Sequence, residues 1–206
     1  MRYKDINSAN RQRIIIEAFK LFTTKSINDI TFADIEEATG LSRGGILHYF
    51  ATKDKLYATV MEELILKKNN EIPIDPQKNL WENIKEFINY RKKQQDYFTN
   101  IGIYNINLAH TFMVTNVMHI VDDFERKSAI WIEKELSYWR KLLTLAQQRG
   151  EIKENIDIDI EAKLFFNVFF GNSYIAITTP NGYDLDKLQD QYYVLYTHIT
   201  NQISDK

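Results

Sequence analysis

Between Thr31 and Phe50 the chain gathers side chains suited to gripping an anion and reading flat polar edges. Arg43 can make two parallel hydrogen bonds to a phosphate or to the edge of a guanine, and the sequence leaves both open. His48 can bond to a base or a phosphate, and Ser42 stands at the leading end of the same segment. Gly44 and Gly45 fall inside a short expected helix, where each costs about 1 kcal/mol relative to alanine. Packing alone does not explain two such residues together, whereas close approach to a nucleic-acid backbone or base edge does. Lys53 lies in the first turn of its own expected helix, unfavourable for the helix dipole unless an anion such as phosphate compensates it. The chemistry is non-covalent recognition.

Short helices must position these groups. Ile15, Ala18, Phe19 and Phe22 recur at the spacing of one helix face over Arg11 to Phe22. Thr31 opens an N-cap pattern with Asp34 at the third helical position, and Ile35 and Ala38 continue that helix until Gly40 stops it. Ser42 caps a helix through about Tyr49, and Thr52 caps the next from Lys53. Two helices of about two turns around a glycine-containing turn form a helix-turn-helix, whose second helix enters the DNA major groove. Ile35, Ala38, Leu41 and Ile46 are expected as its core. This leaves Ser42, Arg43, Gly44, Gly45, His48 and Tyr49 near the exposed side or leading end.

Composition bounds the alternatives. The 206 residues are 44% hydrophobic with no cysteine, so disulfides, zinc fingers, iron–sulfur ligation and thiol nucleophiles are excluded. No apolar run approaches a membrane span and no secretion signal is evident, so a soluble cytoplasmic protein without membrane contact is expected. The net charge is −2, yet residues 1–56 carry nine Lys/Arg against seven Asp/Glu and residues 57–206 carry seventeen against twenty-one. Basic excess therefore sits with the helix-turn-helix. No Gly-x-Ser-x-Gly, Gly-x-Gly-x-x-Gly, phosphate-loop or His-Glu-x-x-His pattern occurs, and no enzyme or cofactor is expected.

Beyond Met61 a helix is expected to about Lys68, with a break from Asn69 to Pro73. Asp75 and Pro76 are expected to start the next helix, carrying Leu80, Ile84, Phe87 and Ile88. A long helix from Phe124 to Gly150 shows an apolar stripe of Ile132, Leu136, Trp139, Leu143 and Ala146. Asp157 or Asp159 caps a helix apolar on every side from Leu164 to Phe170, which implies burial on every side. Asp184 caps a last helix with two apolar stripes. Only stretches such as Asn155 to Ile160 hint at strand, so the expected fold is all-α: a three-helix DNA-binding domain at 1–56 and a helical bundle for ligand binding and dimerisation at 57–206.

The segment from about residue 8 to 57 resembles the tetracycline-repressor-like (TetR) family of bacterial regulators. The likeness lies in the helix before Thr31, the Thr31 cap, Ile35, Gly40-Leu41-Ser42, Gly44, Tyr49-Phe50 and Lys53-Asp54-Lys55-Leu56. It implies a dimeric repressor with a recognition helix over Ser42 to His48 and DNA-backbone contacts from Thr31, Tyr49 and Lys53. Leu47 stands where the family usually has a phosphate-contacting tyrosine, Glu36 where alanine is common, and Ser26 where glycine commonly ends the first helix.

Residues 57–206 hold 21 of the 27 aromatic residues. A large core is one reading. A cavity for a small apolar or aromatic ligand is the other, favoured by the resemblance, with Asn105, Asn107, His110, Asn116, His119 and Asn167 as polar groups. The expected lining is Asn107, His110, Phe112, Trp131, Phe166 and Phe170. The last two helices suit a four-helix interface with a second copy through Phe169, Tyr192, Leu195, Tyr196 and Ile199. A ligand-responsive homodimeric repressor on a palindromic double-stranded DNA operator, its DNA affinity lowered by the ligand, is the expected function. The alternative is a DNA-binding regulator governed by a protein partner, or an activator without a small ligand.

Overall fold

The computed structural model describes residues 3–66, 72–117, 120 and 123–200, with side chains from residue 8 onward. Helix α1 spans Tyr3–Phe22, α2 Phe32–Thr39, α3 Arg43–Tyr49 and α4 Lys53–Val60. The larger helices are α5 Leu80–Asn100, α6 Ile106–Val117, α7 Phe124–Gln148, α8 Ile158–Ile175 and α9 Leu185–Ile199. No strand occurs among the described residues, and an isolated bridge joins Ile152 to Thr200. Asn155 to Ile160, the segment with a hint of strand, instead leads into α8.

The local stop and start signals act as expected. Thr31 and Asp34 close a full capping box on α2, and Gly40 takes a left-handed φ of 63° at its end. Ser42, Thr52, Asp157 and Asp184 cap α3, α4, α8 and α9 through their side chains. Asp75 does not cap a helix. Its carboxylate accepts from the Gln77 amide in a turn, and α5 begins at Leu80 under a capping box of Asn79 and Glu82. The buried Asn83 amide holds that turn through the Asp75, Lys78 and Asn79 carbonyls, a support with no local sequence signature.

Past α4 the chain continues as a π-helical segment, Met61–Leu66. The helix end expected near Lys68 and the break from Asn69 to Glu71 lie outside the described residues.

Two apolar clusters organise the chain. The first joins Ile15, Ala18, Phe19 and Phe22 to Ile35, Ile46, Leu56 and Tyr57, then runs on into Phe98, Ala109, Met113 and Phe124. The core of the N-terminal helices therefore continues beyond residue 56. Ala38 and Leu41 are only half-buried; the fully buried Thr39 takes an interior place, its hydroxyl bonded to the Ile35 carbonyl at 2.6 Å. The second cluster unites Ile84, Phe87, Leu136, Trp139, Leu143, Phe165, Leu188 and Tyr192 from α5, α7, α8 and α9.

Two expectations fail in this bundle. Ile132 is 40% exposed although it lies on the α7 stripe, because the stripe leaves the core toward the start of that helix. Helix α8 is not buried all round: Phe165 is interior, but Leu164, Tyr174 and Ile175 stand exposed on the outer side.

Candidate nucleic-acid interface and internal cavity

The outer face of α3 carries Arg43, Gly44, Leu47 and His48, all exposed, while Ile46 anchors the helix in the core. Ser42 accepts from the Gly45 amide at 3.3 Å and fixes where the helix starts. A Cβ on Gly44 would meet nothing within 4 Å, and one on Gly45 only the Ser42 hydroxyl at 3.5 Å. No contact inside the chain requires either glycine. The Arg43 guanidinium lies over the Phe32 ring at 5.3 Å, which keeps it against the head, and His48 meets the edge of the half-buried Tyr49 at 5.0 Å. Arg13 reaches the α2–α3 turn from α1, its guanidinium 3.3 Å from where a Cβ on Gly40 would sit.

Two expected contact residues have other work. The Thr31 hydroxyl and the Thr31 backbone amide each donate to the Asp34 carboxylate at 2.6 Å, which holds that carboxyl below its ordinary range, and the hydroxyl accepts from the Asp34 amide at 3.2 Å. The Lys53 ammonium donates to the Ile27 carbonyl at 2.9 Å and to the Ile30 carbonyl. Carbonyl oxygens thus compensate the cation, and no phosphate is needed to explain its position. Lys53 bolts the α1–α2 connection to α4.

At the other end of the chain, α5, α6, α7 and α8 surround a cavity of about 210 Å³. Asn107, His110, Trp131 and Phe170 line it as expected. Phe112 and Phe166 do not. Phe112 lies half-buried away from the cavity, and Phe166 stacks behind Phe170 with centroids 4.2 Å apart. Among the other polar candidates, Asn105 donates to the carbonyls of Ala176 at 2.9 Å and Thr179 at 2.5 Å and clamps the turn after α8. Asn116 bonds back to Phe112 in its own helix, Asn167 is exposed, and His119 lies outside the described residues.

Arg91 escaped the sequence reading although it sits one turn beyond Phe87 and Ile88 on an apolar face, a charge where none belongs unless paired. It is paired: its guanidinium meets Glu135 at 2.5 Å with both side chains buried, and rests on Phe169 at 4.3 Å and Phe87 at 4.8 Å. Ser173, Tyr174 and Tyr183 also line the cavity and gave no signal of their own. The Asn107 carbonyl oxygen accepts from the Tyr183 amide at 3.3 Å. Burial pushes the His110 imidazole down to about 4, so it is neutral at neutral pH, and its ring lies 5.8 Å from Trp131.

The expected pairing surface needs correction. Tyr192 is fully buried in its own chain, bonded to the Phe165 carbonyl at 3.1 Å, and Ile199 is equally interior. Phe169 faces the cavity, while Leu195 and Tyr196 are half-buried against the second cluster. The exposed apolar groups of α8 and α9 are Ile160, Leu164, Tyr174, Ile175, Tyr193 and Val194. Of the five residues chosen from periodicity, Tyr192 and Ile199 are thus interior to their own chain.

The described residues thus combine an exposed helix-turn-helix with a helical bundle around a cavity, the architecture of a helical DNA-binding regulator. The N-terminal residues narrow the class: residues 14–60 match the model for bacterial regulatory proteins of the tetR family. Over those residues the chain is similar to the DNA-binding domain of that family. It is 40% identical over 60 residues to the HTH-type transcriptional repressor AcnR of Corynebacterium efficiens, a match spanning 29% of this chain and 31% of that repressor. The whole fold is similar to a TetR-family regulator from Agrobacterium tumefaciens, with TM-score 0.65 and 14% identity over 95% of this chain and all (100%) of that one. It is also similar to NalD, the secondary repressor of the MexAB-OprM multidrug efflux pump in Pseudomonas aeruginosa, with TM-score 0.59 and 12% identity over 96% and 98% of the two chains. No helix among the described residues is long and apolar enough to cross a membrane.

Proposed function

We propose that this protein is a homodimeric transcriptional repressor that reads a palindromic operator with α3 and is controlled by a small ligand in the cavity. The observation that carries the DNA-binding part is the outer face of α3, where Arg43 and His48 flank two glycines that nothing inside the chain requires. Bare backbone beside a cation and a hydrogen-bonding ring suits a groove floor and its phosphate walls. Two copies are proposed because one α3 reads only half of a palindrome. Heads set about 34 Å apart reach successive major grooves, and the exposed Leu164, Ile175 and Val194 offer a second copy an apolar face on α8 and α9. Repression is the role named for the relatives AcnR and NalD.

Ligand control is supported by where the cavity lies. Leu64 and Ile65 of the π-helical extension of α4 line it, as do Asn107, His110 and Thr111 of α6. The Tyr57 hydroxyl of α4 donates to the Met113 carbonyl of α6 at 2.7 Å. An occupant that displaces α6 therefore pulls on the helix that follows the reading head, and it lowers DNA affinity by its difference in affinity for the two arrangements. A regulator governed only by a protein partner needs no such space. Selection of bound duplexes from a random library tests the proposal: an inverted repeat should emerge, with half-sites one helical turn or a multiple apart. Enrichment of no sequence at low salt would reject it.

A further inference from the structure

The cavity also carries information about the kind of molecule that fits, an inference that rests on its proposed role as the ligand site. Arg91 is the one charged side chain in its described lining, and Glu135 already neutralises it at 2.5 Å. A ligand anion would set a second negative charge beside Glu135 with no cation left over. A ligand cation would face the guanidinium without a counter-charge. Both are costly away from water. His110 adds no charge, because burial keeps it neutral.

Outside the Arg91–Glu135 pair, two donors on lining residues are unused. Trp131 and Ser173 line the cavity, and the indole N–H of one and the hydroxyl of the other are buried with no hydrogen-bond partner among the described residues. An indole nitrogen only donates, so what Trp131 lacks is an acceptor. Around these groups stand the rings of Phe169, Phe170 and Tyr183, with Trp131 edge-on to Phe170 at 5.4 Å. Such walls favour a flat aromatic occupant. The volume of about 210 Å³ exceeds the roughly 150 Å³ of an apolar cavity that holds benzene, and so admits one substituted ring or a small fused pair.

We propose that the ligand is a neutral, flat aromatic molecule of one or two rings bearing a hydrogen-bond acceptor, such as a ketone, ester or quinone oxygen, that takes the Trp131 N–H. The Ser173 hydroxyl supplies a second polar anchor.

The test uses the full chain labelled with ¹⁵N and four probes of similar size: acetophenone, ethylbenzene, benzoate and phenethylamine. The three tryptophans give three indole N–H signals, and loss of one in Trp131→Phe assigns the reporter. Acetophenone should bind and move the Trp131 signal downfield. Ethylbenzene should bind at least about threefold more weakly, the modest preference one net hydrogen bond gives, and benzoate and phenethylamine at least tenfold more weakly. In Trp131→Phe the preference of acetophenone over ethylbenzene should fall towards one, and in Ser173→Ala it should shrink, with the far-ultraviolet spectrum unchanged in both.

Tighter binding of benzoate or phenethylamine overturns the proposed class. So does an acetophenone preference that persists in Trp131→Phe. Absence of binding by all four probes at millimolar concentration overturns both the class and the cavity's role as a ligand site. Acetophenone binding as expected, but without effect on the protein bound to its selected DNA, leaves the class standing and rejects ligand control.

Discussion

The reading head and the cavity are built by different rules. In the head, bonds between near neighbours set the helices: Thr31 with Asp34, Ile35 with Thr39, Ser42 with Gly45, Thr52 with Lys55. Around the cavity the decisive bonds join distant segments, Arg91 with Glu135 across 44 positions and Asn107 with Tyr183 across 76. Local bonds set where each helix of the head starts and stops, while Lys53 and the shared apolar cluster hold those helices together. Distant ones tie the bundle together, so a variant in either region should act first on its own region, with the shared cluster and the Tyr57–Met113 bond as the link between them.

Arg91→Leu should separate them most. It leaves Glu135 buried and unpaired, which should cost about 3–5 kcal/mol, and adding Glu135→Leu should restore most of the loss. Urea unfolding followed by tryptophan fluorescence reads the bundle selectively, because Trp81, Trp131 and Trp139 all lie beyond residue 60. Equal stability of wild type and Arg91→Leu would remove the pair from its structural role.

Leu164→Asp should come next. A charge placed in the proposed α8–α9 interface should weaken pairing by about 3 kcal/mol and leave the protomer folded, since Leu164 is exposed within its own chain. A sedimentation shift from dimer to monomer checks this. An unchanged dimer would put the interface elsewhere.

His110 gives the bundle a pH signature. Its value in the folded chain is about 4 against an ordinary 6.5, so between those pH values the unfolded chain takes a proton that the folded chain refuses. Stability is therefore intact above about 6.5 and falls on acidification, by about 2 kcal/mol between pH 7 and pH 5 through this residue. His110→Phe should flatten the profile by that amount.

Thr31→Ala is the smallest change and belongs to the head. Losing the capping box should cost about 1 kcal/mol, seen as faster amide exchange in α2 with the tryptophan signal of the bundle unmoved.

The same contrast explains what could be read in advance. Caps, the Gly40 turn and the α3 outer face were legible because residues within four positions define them. Asp75 misled because Asn79, four residues later, makes the better box with Glu82. On α8, apolar residues all round hide which side is inward, and only packing against Trp139 and Tyr192 selects Phe165. The cavity's polar groups were half legible: His110 and Asn107 stood out as polar residues in an apolar stretch, whereas Asn105 and Asn116 looked the same and serve backbone. The use of Lys53 depended on the carbonyls of Ile27 and Ile30, more than twenty positions away.

The central claim is that α3 reads DNA, and Gly44→Ala tests it most directly. A methyl group there meets nothing within 4 Å, and alanine favours a helix by up to about 1 kcal/mol, so the folded chain should be equally or more stable. If the bare backbone of α3 approaches DNA, affinity for the selected duplex should drop at least tenfold, about 1.4 kcal/mol. A variant that is equally or more stable and binds that duplex as tightly as wild type would contradict the account.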